Sequence, residues 1–205
     1  MIKINIYSLI FICSLFVSQL AKAQVYEKGN VIVDAYYGGP NLYTGVVKTF
    51  YKADQALGNF ADLKYKSLGP VGLKFEYLVG AKIGISIHAN YAMTGVEGKS
   101  VDGGTTYSYE ASYSRLRIMP TFNIHMGNSK RFDPYFSFGV GYANRKFKET
   151  TDNPNIPELS IKNASPLAFR AEFGMRYFFT DHIGLNVLVG VGGGPLAGGG
   201  LSFKF

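Results

Sequence analysis

Nine charged residues stand alone among apolar ones: Asp34, Lys74, Glu76, Arg115, Arg117, Arg170, Glu172, Arg176 and Lys204. They recur with a period of two, as in Leu73-Lys74-Phe75-Glu76-Tyr77 and Phe169-Arg170-Ala171-Glu172-Phe173. In a strand this spacing turns the charges to one face and the apolar residues to the other. A charge on an enclosed face is costly unless a partner of opposite sign meets it. The chemistry these residues support is therefore electrostatic. They form either a mutually neutralising network or, if water threads between them, a narrow path that the excess of Lys and Arg biases towards anions.

Other chemistries find no residues to carry them. His88 lies between Ser86 and Asn90 on the polar face of a strand, while His125 and His182 fall at turns. None has the convergent spacing that a metal ion needs, so no metal and no cofactor is expected. Hydrolysis asks for Ser, His and Asp or Glu brought together. His88-Ala89-Asn90 carries Asn where an outer-membrane lipid deacylase would carry Ser, and no paired aspartates mark a rim. No catalytic residue is assigned, and the chain is read as non-enzymatic. The runs Gly192-Gly193-Gly194 and Gly198-Gly199-Gly200 read as tight turns, the first lacking the lysine and helix of a phosphate loop. The basic charges are interleaved with acids and not gathered on one face, so nucleic acid is not an expected partner.

Strands are needed to position the charges. Val31 to Gly38 alternates Val31, Val33, Ala35 and Tyr37 with Ile32, Asp34 and Tyr36; Ser67 to Val79 sets Val71, Leu73, Phe75 and Tyr77 against Gly72, Lys74 and Glu76. Ile83 to Thr94, Thr106 to Ile124, Pro134 to Lys146, Ala164 to Phe179 and Ile183 to Val191 keep the rhythm, and Gly200 to Phe205 completes a set of eight. Pro120 cannot donate to a ladder, so a bulge or strand end is expected near it. After Pro40, Leu42, Val46, Val47, Phe50 and Tyr51 recur near every 3.6 residues and predict a short helix over about Asn41 to Ala56. Read as a strand instead, that stretch would make the count odd, against the even numbers of single-chain bacterial barrels. Gly95 to Thr105 and Phe147 to Asn163 read as long polar loops; Gly80 to Lys82, His125 to Asp133 and Thr180 to His182 read as short turns.

Apolar residues make up 47% of the chain, with fifteen Tyr and sixteen Phe, yet no segment beyond the first 23 residues is long and apolar enough for a membrane helix. A soluble β-sandwich would share this composition and hide its apolar faces inside. A transmembrane barrel turns them out to lipid and keeps a polar lumen. The charged opposite face favours an all-β fold: an eight-stranded antiparallel up-and-down transmembrane β-barrel over residues 24–205. Eight strands leave a lumen barely wide enough for its own side chains, so the charges are expected to plug it. Residues 1–23 read as a secretory signal peptide, with Lys3, an apolar run from Ile6 to Val17 and Ala21-Lys22-Ala23 as the cleavage pattern. A retained membrane helix is the alternative, opposed by Ser8, Ser14, Ser18 and Gln19. Cleavage removes Cys13, the one cysteine, and with it any disulfide.

The chain ends on Gly200-Leu201-Ser202-Phe203-Lys204-Phe205. Gly200, Phe203 and Phe205, a glycine five residues before a final phenylalanine with an aromatic two residues before it, resemble the C-terminal insertion signal of bacterial outer-membrane β-barrels. From Gln24 onward the chain resembles the small OmpA- and OmpX-type barrels, the porin-like β-barrel domain family of Gram-negative bacteria. That resemblance implies an integral place in the cell outer membrane, external loops at the cell surface, and assembly machinery that engages the C-terminal strand. It implies contact with outer-membrane lipid and lipopolysaccharide, for which Lys48, Lys52, Lys64 and Lys66 are candidates. The plugged lumen and the long polar loops point to a structural, adhesive or surface-interaction role carried by the external loops, without enzymatic activity. The alternative is a passive porin-like or OmpW-like channel for small or hydrophobic solutes, with Leu188, Met119 and the helix after Pro40 along the route.

Overall fold

The computed structural model describes residues 27–40, 42–127, 129–162 and 165–205, so the leader expected over residues 1–23 lies outside the described residues. The alternating segments form strands β1 (Val31–Gly39), β2 (Phe60–Gly80), β3 (Ile83–Asp102), β4 (Thr105–His125) and β5 (Phe132–Thr151). They continue as β6 (Leu159–Lys162), β7 (Leu167–Phe178), β8 (Ile183–Gly192) and β9 (Ala197–Lys204). The 3.6-residue pattern forms helix α1 (Leu42–Ala56), between β1 and β2. Eight strands pair antiparallel into a closed ring, each with its neighbour in sequence except that β5 meets β7, and β9 returns to β1. The short β6 stands outside the ring and pairs only with the far end of β5.

Closure depends on the last strand. Ala35 lies opposite Leu201 and Tyr36 opposite Gly200, and a Cβ at Gly200 would run into the carbonyl oxygen of Ala35. With both edges paired, every strand of the ring can cross a membrane without bare ladder groups.

The ring has a short half and a tall half. β1, β7, β8 and β9 have 8 to 12 residues, whereas β2 to β5 have 20 or 21. A strand needs about 9–11 residues to cross a bilayer, so the tall half projects well beyond it. The expected polar loop at Gly95 to Thr105 is therefore corrected. β3 and β4 stay paired from Gly95 opposite Ser112 up to Asp102 opposite Thr105, and the connection is only Gly103-Gly104. Both glycines have positive φ, at 55° and 82°, the backbone that a two-residue hairpin turn requires. The polar alternation of this stretch reflects a sheet with water on its outer face, which composition alone does not separate from a loop.

The expectation at Pro120 is also corrected. Pro120 lies opposite Ile87 on β3, and pairing with β5 resumes at Thr121 opposite Gly139 in the register of Ile118 opposite Tyr142. The pairs to β5 lapse at Met119 and Pro120 without a shift, so the missing N–H falls in that gap. The register shifts lie in β2, and the one between Leu68 and Val71 holds Pro70, a proline at a bulge.

Leu73, Phe75, Ile85, Ile87, Phe138, Val140, Phe169, Leu185 and Val187 are all exposed on the outer wall. Tyr37 and Tyr142 stand towards one rim of this apolar belt, and Tyr77, Phe136, Tyr177 and Phe179 towards the other, the interfacial placement that amphipathic rings favour. The lumen-facing residues are buried: Ile32, Leu78 and Phe178 form an apolar floor at the end with the short turns, below the charges.

Candidate functional site

The lumen charges that meet lie on five strands, β1, β2, β4, β5 and β7, and converge between that floor and the extracellular mouth. Arg176 on β7 is completely buried and meets three carboxylates. Its Nη2 donates to Asp34 Oδ2 and to Glu76 Oε2, each at 2.7 Å, its Nε donates to Asp34 Oδ1 at 3.1 Å, and its Nη1 donates to Asp133 Oδ2 at 3.1 Å. The guanidinium also lies 4.2 Å from the centre of the Tyr135 ring. Ser202 on β9 donates to Asp34 Oδ1 at 2.6 Å, which ties the closing strand to the cluster.

Glu76 Oε1 accepts from Asn123 Nδ2 at 2.6 Å and from His125 Nε2 at 2.9 Å, while His125 Nδ1 contacts Asp133 Oδ1 at 2.9 Å. Ionised carboxylates only accept, so with one on each ring nitrogen His125 carries both protons. A second group lies beside the first. Lys74 Nζ donates to Glu172 Oε1 at 2.5 Å, and Arg170 Nε to Glu172 Oε2 at 2.6 Å. Lys74 Nζ also sits 4.7 Å from the Tyr135 ring centre, between the two groups. The carboxylates Asp34, Glu76, Asp133 and Glu172 are thus matched by Lys74, Arg170, Arg176 and His125. Each charge has an opposite neighbour within hydrogen-bond reach, the condition for tolerating it away from water.

Of the nine residues singled out in the sequence, Asp34, Lys74, Glu76, Arg170, Glu172 and Arg176 meet here. Arg117 lies nearer the mouth, with Nη1 3.3 Å from Asn90 Oδ1, and Arg115 is over the Tyr113 ring at 5.3 Å. Lys204 does not join the cluster. It is partly exposed at the other end, with Nζ 5.0 Å from the Phe178 ring centre. Of the terminal residues, Gly200 faces Tyr36, Phe203 pairs with Val33 and Ile183, and Phe205 exchanges backbone hydrogen bonds with Val31.

Sequence reading missed His125, Asp133, Tyr135 and Asn123 as members of the network. His125 and Asp133 were expected in a turn, but both are buried at the ends of β4 and β5. The signal was available: stepping two residues on from Asn123 or two steps back from Ser137 keeps the lumen face and reaches His125 and Asp133. His88 Nε2 is 2.5 Å from Tyr36 Oη, and His182 Nδ1 donates to the Lys204 carbonyl at 2.9 Å. Among the described residues no His, Cys, Asp and Glu side chains are grouped to hold a metal ion.

Above the membrane the inward face changes character. Val96, Tyr109 and Ala111 form a small core with Tyr51, Phe60, Leu63, Tyr65 and Phe147 packed on it. Helix α1 supplies Tyr51, whose hydroxyl is 2.7 Å from Tyr109 Oη, and Tyr109 donates on to Glu149 at 2.9 Å. Thr44 of α1 is 3.0 Å from the Thr94 hydroxyl and 2.8 Å from that of Ser67. The helix therefore covers the inner face of the projecting sheet at the lumen mouth. Burial pushes both phenols above their ordinary range, and at Tyr109 the hydrogen bonds with Tyr51 and Glu149 push the same way. The apolar stripe of the helix divides: Tyr51 packs on the sheet, while Val46 and Phe50 face water together with Leu57.

A closed antiparallel ring with an apolar outer wall and a charge-paired interior defines an integral outer-membrane β-barrel. Residues 9–190 match the outer membrane protein beta-barrel domain, and the chain belongs to that family. Among solved structures it is similar to the outer membrane protein OprG from Pseudomonas aeruginosa, at 15% identity over 90% of this chain and 99% of that one, with a TM-score of 0.54. The N-terminal β-barrel domain of Pseudomonas aeruginosa OprF matches at 12% identity, 88% and 100% coverage and a TM-score of 0.48. Ail, the attachment invasion locus protein of Yersinia pestis, matches at 12% identity, 88% and 100% coverage and a TM-score of 0.43. At these identities the likeness concerns the fold. No curated protein matches the chain.

Proposed function

We propose that the protein is a non-enzymatic, non-conducting barrel whose work is done at the cell surface, as an adhesive or structural contact. The observation that carries this reading is Arg176, fully buried and held by Asp34, Glu76 and Asp133 across the bore. A path through that point would have to break several charge-assisted hydrogen bonds at once. The contact surface is the projecting part of β2 to β5 with α1, where Val46, Phe50 and Leu57 offer an exposed apolar stripe. Exposed apolar groups of this kind often mark interaction sites. The channel alternative has less support, since Met119 packs against Ala143 and Ala168 and Leu188 is buried.

The partners and processing follow from the same reading. Residues 1–23 serve as the removable leader, assembly machinery engages β9 through Gly200, Phe203 and Phe205, and lipopolysaccharide surrounds the extracellular rim. Reconstitution in planar bilayers tests the central claim. No stepwise conductance is expected, and stable steps would overturn the closed lumen.

A further inference from the structure

The outer face of the projecting sheet carries lysines on both flanks, and the flanks treat them differently. On the β2–β3 side the charges are neutralised within the sheet: Lys66 pairs with Glu97, and Lys99 with Asp62 at 3.0 Å. On the β5–β6 side Lys146 lies directly opposite Lys162, and Lys148 stands two residues along the same face. Like charges directly opposed across a strand pair are destabilising. These three lysines form no ion pair among the described residues. Glu149 faces the other side of the sheet, towards Tyr109, and Glu110 and Glu158 lie a row or more further from the membrane.

The rows they occupy are rich in hydroxyls. Ser114 lies opposite Lys146, and Ser112 and Ser160 flank Lys148. The height of the patch is fixed by register. Lys146 is four residues beyond Tyr142, which lies in the lipid-facing row with Ile118 and Leu167. Four residues of tilted strand rise by roughly 10 Å, which puts the ammonium groups at the head-group level of the outer leaflet.

We infer that Lys146, Lys148 and Lys162, with Ser112, Ser114 and Ser160, bind the phosphate groups of an anionic outer-leaflet glycolipid. An ammonium triad at this height, left without carboxylates while its counterpart across the sheet is neutralised, is complementary to a phosphorylated head group. The bound phosphate relieves the Lys146–Lys162 repulsion and so holds β6 on β5. The inference rests on the membrane location and not on the adhesive reading, so each can fail alone.

The test uses the refolded protein in phosphatidylcholine vesicles, with and without bis-phosphorylated lipid A. A Lys146→Gln, Lys148→Gln, Lys162→Gln variant is compared with a Lys82→Gln, Lys99→Gln, Lys130→Gln control of equal charge change, taken from the short turns at the opposite end and from the Asp62-paired lysine. Lipid A retained on the protein after detergent extraction should fall on the order of tenfold or more in the first variant and stay near the parent in the control. Hydrogen exchange of amides 159–162 should slow in the parent when lipid A is present, and not in Lys162→Gln. Equal loss in both variants, or unchanged exchange, would overturn the site. Free pyrophosphate should leave the retained lipid in place. Complete displacement by it would assign the patch to soluble anions and overturn the lipid claim. Heat-dependent gel migration verifies that each variant is folded.

Discussion

Inside the membrane and above it, one sheet meets two different demands on its inner face. In the ring, where eight strands close, that face carries Asp34, Lys74, Glu76, His125, Asp133, Arg170, Glu172 and Arg176, paired with one another. Above the ring only β2 to β5 continue, the sheet opens, and the same face carries Val96, Tyr109, Ala111 and Phe147 beneath α1. A bore of this width admits side chains and no helix, so buried charges must find partners there. An open sheet has one face to cover, and an amphipathic helix covers it by apolar contact and two tyrosine hydroxyls. The lower region is thus built on pairwise specificity, the upper on packing.

That contrast predicts unequal responses to substitution. Arg176→Met leaves Asp34, Glu76 and Asp133 facing one another in the bore and should cost about 3–5 kcal/mol. Urea titration of the vesicle-embedded barrel, followed by gel migration, measures it, and a loss below about 1 kcal/mol would mean the network contributes little to stability. Pairing is sharpened by a double-mutant cycle: Lys74→Met with Glu172→Gln should cost clearly less than the two single changes added together. Gly200→Val places a side chain against the Ala35 carbonyl in the closing pair and should cost about 1–3 kcal/mol. Slower appearance of the compact gel species during refolding is the second readout there.

The upper region should give smaller and more local effects. Tyr109→Phe removes the hydrogen bonds with Tyr51 and Glu149 and should weaken docking of α1 by about 1 kcal/mol. Faster amide exchange in residues 42–56, with barrel unfolding unchanged, is the expected pattern; a change in barrel unfolding would join the two regions into one cooperative unit. Because docking raises both phenol pKa values, its contribution is full below the ordinary phenol value and is lost as pH rises above about 10. Exchange in α1 should therefore quicken above that pH in the parent and less so in Tyr109→Phe.

Much of this was legible beforehand. Alternation marked the lipid face, the eight ring strands and the lumen identity of Asp34, Lys74, Glu76, Arg170, Glu172 and Arg176. Helix α1 was legible from its 3.6-residue period, and Gly103-Gly104 carried a hairpin signal that went unused. Three things were obscured for distinct reasons. β5 extends past Lys146 because polar alternation on a water-facing sheet resembles a loop. His125 and Asp133 looked like turn residues because strand ends have no sharp composition. Lys204 shares parity with the lumen residues but lies at the rim, and parity says nothing about height.

What the sequence by itself determined is the face that each residue occupies, because side-chain direction in a strand follows from counting by two. It also determined the solvent of each face, since an unbroken apolar side opposite isolated charges fits lipid outside and a closed polar interior. Only the tertiary structure decided which charges meet. Arg176 and Asp34 are 142 positions apart and come into contact because the strands stagger as the sheet closes. That stagger is a property of the whole ring, and no local stretch encodes it.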